Sequence, residues 1–129
     1  MNISNTDIEG LLIIEPQVHK DDRGYFFESY RSDKLAIYGV PTFVQDNQAY
    51  STYGTIRGLH FQLGDAAQAK LVRVISGEVL DVAVDLRPGS RTFGQHYSII
   101  LNELNNLQFF VPRGFAHGYI VLSDEAIFA

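Results

Sequence analysis

Turn-forming residues punctuate this chain at short intervals: Asp21-Asp22-Arg23-Gly24, Tyr53-Gly54, Ser76-Gly77, Arg87-Pro88-Gly89-Ser90 and Asn105-Asn106. The segments between them are short and rich in Val, Ile, Phe and Tyr. Such side chains suit a pleated, half-buried surface, so the pattern predicts an all-β sandwich or barrel. The clearest strand covers 78–86, where Leu80, Val82, Val84 and Leu86 share one face and Asp81 and Asp85 the other. A strand over 70–75 precedes it, and Ser76-Gly77 between them predicts a hairpin. Further strands are expected at 24–30, 43–47, 96–101, 107–111 and 118–122. One short helical turn is expected after Ser32 or Asp33 as cap, ended by Gly39 and Pro41. The run Gly10 to Pro16 is apolar at successive positions, so as a strand it needs cover on both faces, from a second subunit or from its own chain.

A length of 129 residues implies one domain with a substantial core. The chain has no cysteine, which excludes disulfides and thiolate metal sites and is compatible with a reducing cytoplasm, the expected location. No basic segment followed by an apolar one opens the sequence, and no apolar run approaches the roughly 20 residues of a membrane-spanning helix. A net charge of −5 speaks against binding to a nucleic-acid polymer but not against a nucleotide ligand, which needs only a few local cations.

Two histidines carry the chemical interest. His60 lies in Arg57-Gly58-Leu59-His60-Phe61-Gln62, and Lys70 opens the next strand. An imidazole is the natural general base near neutral pH, and a neighbouring cation would stabilise an anion formed when a carbon-bound proton leaves. On a regular strand Arg57 and His60 point to opposite faces, but Gly58 permits a bulge that re-aims one of them. The alternative is a surface imidazole among solvated cations. His117 follows Pro112 and Gly114 at a spacing that predicts a turn delivering the ring inward. Two inward histidines raise the question of a metal, which needs three or four ligands. Gln62 stands where a second histidine would be sought, and Asp65 falls in an expected loop, so no metal site is expected.

Arg23 reads as part of a tight turn and Glu28 as part of the following strand. Gln45, Asp46 and Asn47 are consecutive polar residues. On a strand, Gln45 and Asn47 would share a face and could read a base or sugar hydroxyls, or simply satisfy buried backbone groups. His19 and His96 read as surface residues. No Gly-x-Gly-x-x-Gly, Walker or Gly-x-Ser-x-Gly element is present, so a nucleotide would be recognised by side chains.

The segments 22–28, 45–47, 57–62, 69–74, 77–87 and 112–119, in this order, closely resemble the dTDP-4-dehydrorhamnose 3,5-epimerase family from about Ile8 to Leu122. The resemblance implies a cupin-type jelly roll, a homodimer with an exchanged N-terminal strand, a dTDP-linked 4-keto-6-deoxy sugar as substrate, and neither metal nor organic cofactor. It implies that His60 is the general base and Lys70 the enolate-stabilising cation. Arg57 and His117 are then sugar or phosphate contacts, and Arg23, Glu28, Gln45, Asp46 and Asn47 nucleotide-sugar contacts. It further implies that a tyrosine acid and an aspartate partner for His60 lie beyond Ala129. The chain is therefore expected to lack the C-terminal portion of its domain, with impaired catalysis or a mere binding and dimerisation role as the alternative. Asp81 and Asp85 are the upstream carboxylates that could take the aspartate's place.

Overall fold

Two antiparallel sheets face each other across one core in the computed structural model, which describes residues 1–129. The strands are, in chain order, β1 (Asn2–Asn5), β2 (Leu12–Glu15), β3 (His19–Asp21), β4 (Gly24–Phe26), β5 (Ala49–Thr52), β6 (Ile56–His60), β7 (Lys70–Ser76), β8 (Glu78–Asp85), β9 (His96–Asn102), β10 (Gln108–Val111), β11 (Phe115–Val121) and β12 (Glu125–Phe128). A six-stranded sheet has the order β1-β2-β10-β7-β12-β5, and a four-stranded sheet β6-β11-β8-β9. From β5 onward the chain passes repeatedly between the sheets, as a jelly roll does. The predicted all-β class is the observed one. No helix is long and apolar enough to cross a membrane.

The main core lies between the sheets. Val72 and Val74 of β7, Phe109 and Val111 of β10, and Phe128 of β12 meet Val79, Ala83, Phe115, Tyr119 and Val121 from the smaller sheet. A second cluster covers the outer face of the larger sheet. There Leu35 of the short helix α1 (Ser32–Ala36) and Val40 pack on Leu12, Ile14 and Phe110. Arg31 is the N-cap residue and makes no side-chain capping bond, so neither Ser32 nor Asp33 plays the expected part. Gly39, at φ +80°, does end the helix.

The apolar run at the N-terminus is covered by its own chain. Leu12 and Ile14 face the helix cluster, while Leu11 enters the main core with Ile13 packed against it. Within the chain its strand partners are β1 and β10.

Three other expectations change. The hairpin between 70–75 and 78–86 does not form: β7 pairs with β10 and β12, and β8 with β9 and β11. Gly77 turns the chain from one sheet to the other at φ +85°, and a Cβ there would strike the Glu125 carbonyl, so the position demands glycine. The faces of β8 are also inverted. Val79, Asp81, Ala83 and Asp85 point inward, and Leu80, Val82 and Val84 are the half-buried outer set. Finally, 43–47 is irregular. The polar 45–47 segment stays exposed, with Gln45 Nε2 donating to Asn47 Oδ1 at 3.1 Å, and the strand forms later as β5, against β12.

Asp85 shows how a carboxylate can occupy an inner face. Arg87 donates to it from its backbone N–H, Nε and Nη2, and the Ser90 and Thr92 hydroxyls donate to Oδ2 at 2.6 Å each. The Arg87 guanidinium also lies 4.7 Å from the Phe115 ring centroid. These donors, Arg87 foremost, hold the Asp85 carboxyl well below the usual carboxylate range. A carboxylate depressed in the folded state stabilises the fold above its unfolded pKa of about 4, and that contribution disappears as pH falls through the folded value. Asp85→Ala should therefore lower stability by about 3 kcal/mol at pH 7 and flatten the acid limb of the stability curve. Urea unfolding from pH 7 to pH 2 measures both effects.

Candidate active site

The pairing of β6 with β11 decides which side chains meet inside the small sheet. His60 lies opposite His117, and Arg57 opposite Tyr119, so β6 spends one more residue than β11 between the two pairs. Gly58, at φ +100°, sits in this bulge against the backbone of His117 and Gly118, where no side chain fits. The extra residue brings Arg57 and His60 to the same face, as the sequence allowed. Continuing across the sheet, one inner row reads Arg57, Tyr119, Asp81, Ile99 and the next His60, His117, Ala83, Tyr97.

The turn before β11 delivers His117 inward as expected, and only 5% of the residue is exposed. Its Nε2 contacts Asp81 Oδ1 at 2.8 Å and Oδ2 at 3.0 Å. An ionised carboxylate can only accept, so the pair fixes the tautomer with the proton on Nε2. Burial pushes the Asp81 carboxyl above its ordinary value, opposed by the His117 hydrogen bond and charge and by Lys70. Lys70 shares the inward parity of Val72 and Val74 on β7, and desolvation lowers its ammonium pKa against the pull of Asp81. From the facing sheet, Phe128 stacks on Tyr119 at 4.0 Å and lies 6.5 Å from the His117 ring.

Arg57 closes the sandwich on one side. Its Nε donates to the buried Ser51 hydroxyl at 2.8 Å and Nη2 to the Tyr50 carbonyl at 3.2 Å, tying β6 to β5 across the two sheet edges. His60 is exposed, at the accessible rim of the same face. Neither Asp81 nor Asp85 serves it: the first is held by His117, the second by Arg87, Ser90 and Thr92.

The remaining sequence candidates form a separate, exposed group. Arg23 sits in the turn of the β3–β4 arm, bonded only to Asp21. Glu28 lies past β4 rather than on it, paired with Lys34 at 3.0 Å and Arg31 at 3.6 Å. Gln45, Asp46 and Asn47 lie on the exposed connection before β5. Near Arg23 the arm carries exposed Tyr25 and Phe26, with Tyr25 stacked on Phe27 at 5.9 Å.

Sequence reasoning singled out Arg57, His60, Lys70 and His117 but missed what joins them. Asp81 was placed on the face opposite Leu80, Val82 and Val84 and weighed only as a partner for His60, and Tyr119 was not singled out as a functional residue. The available signal was parity, since Asp81 shares its face with Val79 and Ala83.

A family model described as dTDP-4-dehydrorhamnose 3,5-epimerase matches residues 5–129. The chain belongs to that family. It is 51% identical to the dTDP-4-dehydrorhamnose 3,5-epimerase of Escherichia coli (strain K12), over 99% of this chain and 70% of that protein. The crystal structure of dTDP-6-deoxy-D-glucose-3,5-epimerase from Legionella pneumophila Philadelphia 1, in complex with dTDP-4-keto-L-rhamnose, is 50% identical with a TM-score of 0.94, covering 98% of this chain and 68% of that one. The dTDP-4-dehydrorhamnose 3,5-epimerase of Bacillus anthracis str. Ames, with TDP and PPi bound, is 46% identical with a TM-score of 0.94, covering 98% and 74%. The chain is thus an isomerase of the 3,5-epimerase family with the jelly-roll architecture its sequence predicted.

His117→Ala would leave the Asp81 carboxylate buried with one partner fewer. The variant should lose about 3 kcal/mol at pH 7. Removing a donor to the charged form raises the folded pKa of Asp81 further above its unfolded value, so the variant gains stability relative to wild type as pH falls. Urea unfolding at pH 7 and pH 5 should show the deficit narrowing in acid.

Proposed function

We propose that this epimerase converts dTDP-4-dehydro-6-deoxy-D-glucose to dTDP-4-dehydro-L-rhamnose, inverting C3 and C5 in turn, as a step of dTDP-rhamnose biosynthesis. The observation that carries the reading is the shared inner face of β6 and β11, with His60 at its accessible rim and the Asp81–His117 pair at its buried centre. Desolvated Lys70 lies on the opposing sheet, within electrostatic reach of Asp81.

A C–H bond next to a ketone is weakly acidic, and both C3 and C5 flank the C4 carbonyl. His60, as general base, takes the proton from carbon, and the electron pair moves onto the C4 oxygen as an enolate. Lys70 meets that charge with an ammonium already stripped of much of its water, which strengthens the interaction. A proton from solvent delivered to the opposite face of the carbon, as the electron pair returns from the C4 oxygen, restores the ketone and inverts the centre. The carbonyl itself supplies the acidity, so no hydride acceptor is required. Arg57 and His117 contact the sugar or the diphosphate from the inner rows. Arg23, Glu28, Gln45, Asp46 and Asn47 hold the nucleotide, with the exposed rings of Tyr25 and Phe26 beside Arg23. The cysteine-free chain is compatible with a cytoplasmic reaction.

The reading includes a homodimer. Supporting it, the outer face of the small sheet carries an apolar row that crosses every strand: Ile56, Ile120, Leu80 and Ile100. Ile56 is 69% and Ile100 38% exposed, and none of the row belongs to either core cluster. A second copy of the same face is its proposed cover. Leu80→Asp should then halve the mass seen by sedimentation, while a wild-type monomer would remove the dimer from the proposal.

Solvent exchange tests the chemistry. In D2O the protein should place deuterium at C3 and C5 of the substrate, read by NMR. His60→Ala should abolish this with dTDP affinity unchanged by calorimetry. Lys70→Met should slow it about 10²–10³-fold. A folded His60→Ala protein that no longer binds dTDP would overturn the assignment of the base.

A further inference from the structure

Among the side chains of the inner rows that have no part in the reaction just proposed, one is a buried tyrosine without a hydrogen-bond partner. Tyr119 lies in register between Arg57 and Asp81, one row from the two histidines. It is 7% exposed, its ring is stacked on Phe128, and its hydroxyl meets no hydrogen-bond partner in the protein. A buried phenolic O–H is ordinarily satisfied, by a protein group or by an internal water with several polar neighbours. A purely apolar site would be filled as well by phenylalanine.

The neighbours specify what the hydroxyl can do. Directly opposed residues of an antiparallel pair have Cβ atoms about 5 Å apart, so Tyr119 and Asp81 stand side by side. Both Asp81 oxygens contact His117 Nε2, yet a carboxylate accepts about four hydrogen bonds, so acceptor capacity remains. The titratable and charged groups facing the pair are Arg57 and His60 from β6, Lys70 from β7 and the Tyr97 phenol from β9. From β12 the facing residue is Phe128, and from β5 the nearest polar residue is Ser51, already bonded to Arg57. Arg57 is committed to β5, so the uncommitted donors facing the carboxylate are Lys70 from the opposing sheet and Tyr119 on the adjoining strand, and of the two only Tyr119 is buried.

We propose that Tyr119 is a positioning residue of the epimerisation site: an internal water joins its hydroxyl to the Asp81 carboxylate, and this further donor keeps Asp81 charged and His117 oriented. The inference rests on the epimerase reading only for its kinetic consequence. A donor to the ionised carboxylate favours that form. Without it Asp81 takes a proton at higher pH and His117 loses its fixed tautomer.

Tyr119→Phe keeps the ring and its packing and removes the oxygen. In the full chain, deuterium exchange into dTDP-4-dehydro-6-deoxy-D-glucose should show kcat down roughly tenfold, KM unchanged and the acid limb of the profile moved to higher pH. In the ligand-free protein, NMR titration of the Asp81 carboxyl carbon should show the same upward displacement of its acid transition. Unchanged kcat and acid limb together with a raised Tm would overturn the proposal, because the hydroxyl would then be an idle group in the core. A change in KM alone would overturn it too, in favour of direct sugar contact. Should wild type exchange no deuterium, the epimerase reading fails, and the Asp81 titration still decides the role of Tyr119.

Discussion

A carboxylate placed between two apolar sheets has to be answered by donors, and the small sheet is organised around answering Asp81. Burial alone raises the proton affinity of such a group, by several units in extreme cases. His117 meets both oxygens, and Lys70 lends positive charge from the opposite sheet. Each of these partners has a positional requirement of its own. His117 needs the Pro112–Gly114 turn to enter β11 with the right parity. Lys70 must begin β7 on the face of Val72 and Val74. Arg57 and His60 reach the same face only because Gly58 yields the space for a bulge against His117 and Gly118. The glycines and the ionisable residues are therefore parts of one arrangement.

Much of the site was legible in the residue order, and what was not has a common cause. Local signals identified the turn at Arg23, the corner at Gly114, the helix stop at Gly39 and the capacity of Gly58 to bulge, because each depends on backbone conformation within a few residues. The errors concern partners. Alternation along β8 was read correctly as period two, but the larger apolar residues were assumed to face the core. Asp81 and Asp85 reverse that: Arg87, Ser90 and Thr92 outweigh the desolvation of Asp85, His117 offsets part of that of Asp81, and Leu80, Val82 and Val84 are left outside. Parity is local, whereas its sign is set by residues tens of positions away. The supposed hairpin at Ser76-Gly77 failed in the same way: the turn is real, but it leads into the other sheet.

The polar candidates fall into two stations with different physical character. Arg57, His60, Lys70 and His117 stand on strands, where rows of neighbours fix their directions. Arg23, Glu28 and 45–47 stand on an arm and a connection, exposed and bonded mainly to one another or to local charges. Proton transfer at carbon depends on sub-ångström placement, which rigid strands supply. Nucleotide binding tolerates adaptable contacts and gains from exposed aromatic rings, which the arm supplies. In the proposed reaction the division would correspond to the two halves of a nucleotide sugar.

Desolvation explains why one set of groups can serve both fold and reaction. Lys70 loses hydration on folding, which disfavours its charge, and Asp81 restores part of the balance. The cation therefore sits poorly solvated and only partly neutralised. In the proposed reaction an enolate oxygen forming nearby would complete its coordination at the moment of charge development, making the interaction stronger in the transition state than with the neutral ketone. Full pairing of Lys70 with a carboxylate would give a more stable protein and a poorer enolate stabiliser. Because the Asp81 charge is shared first with His117, at hydrogen-bond distance, Lys70 is held by field rather than by contact and stays available to the substrate.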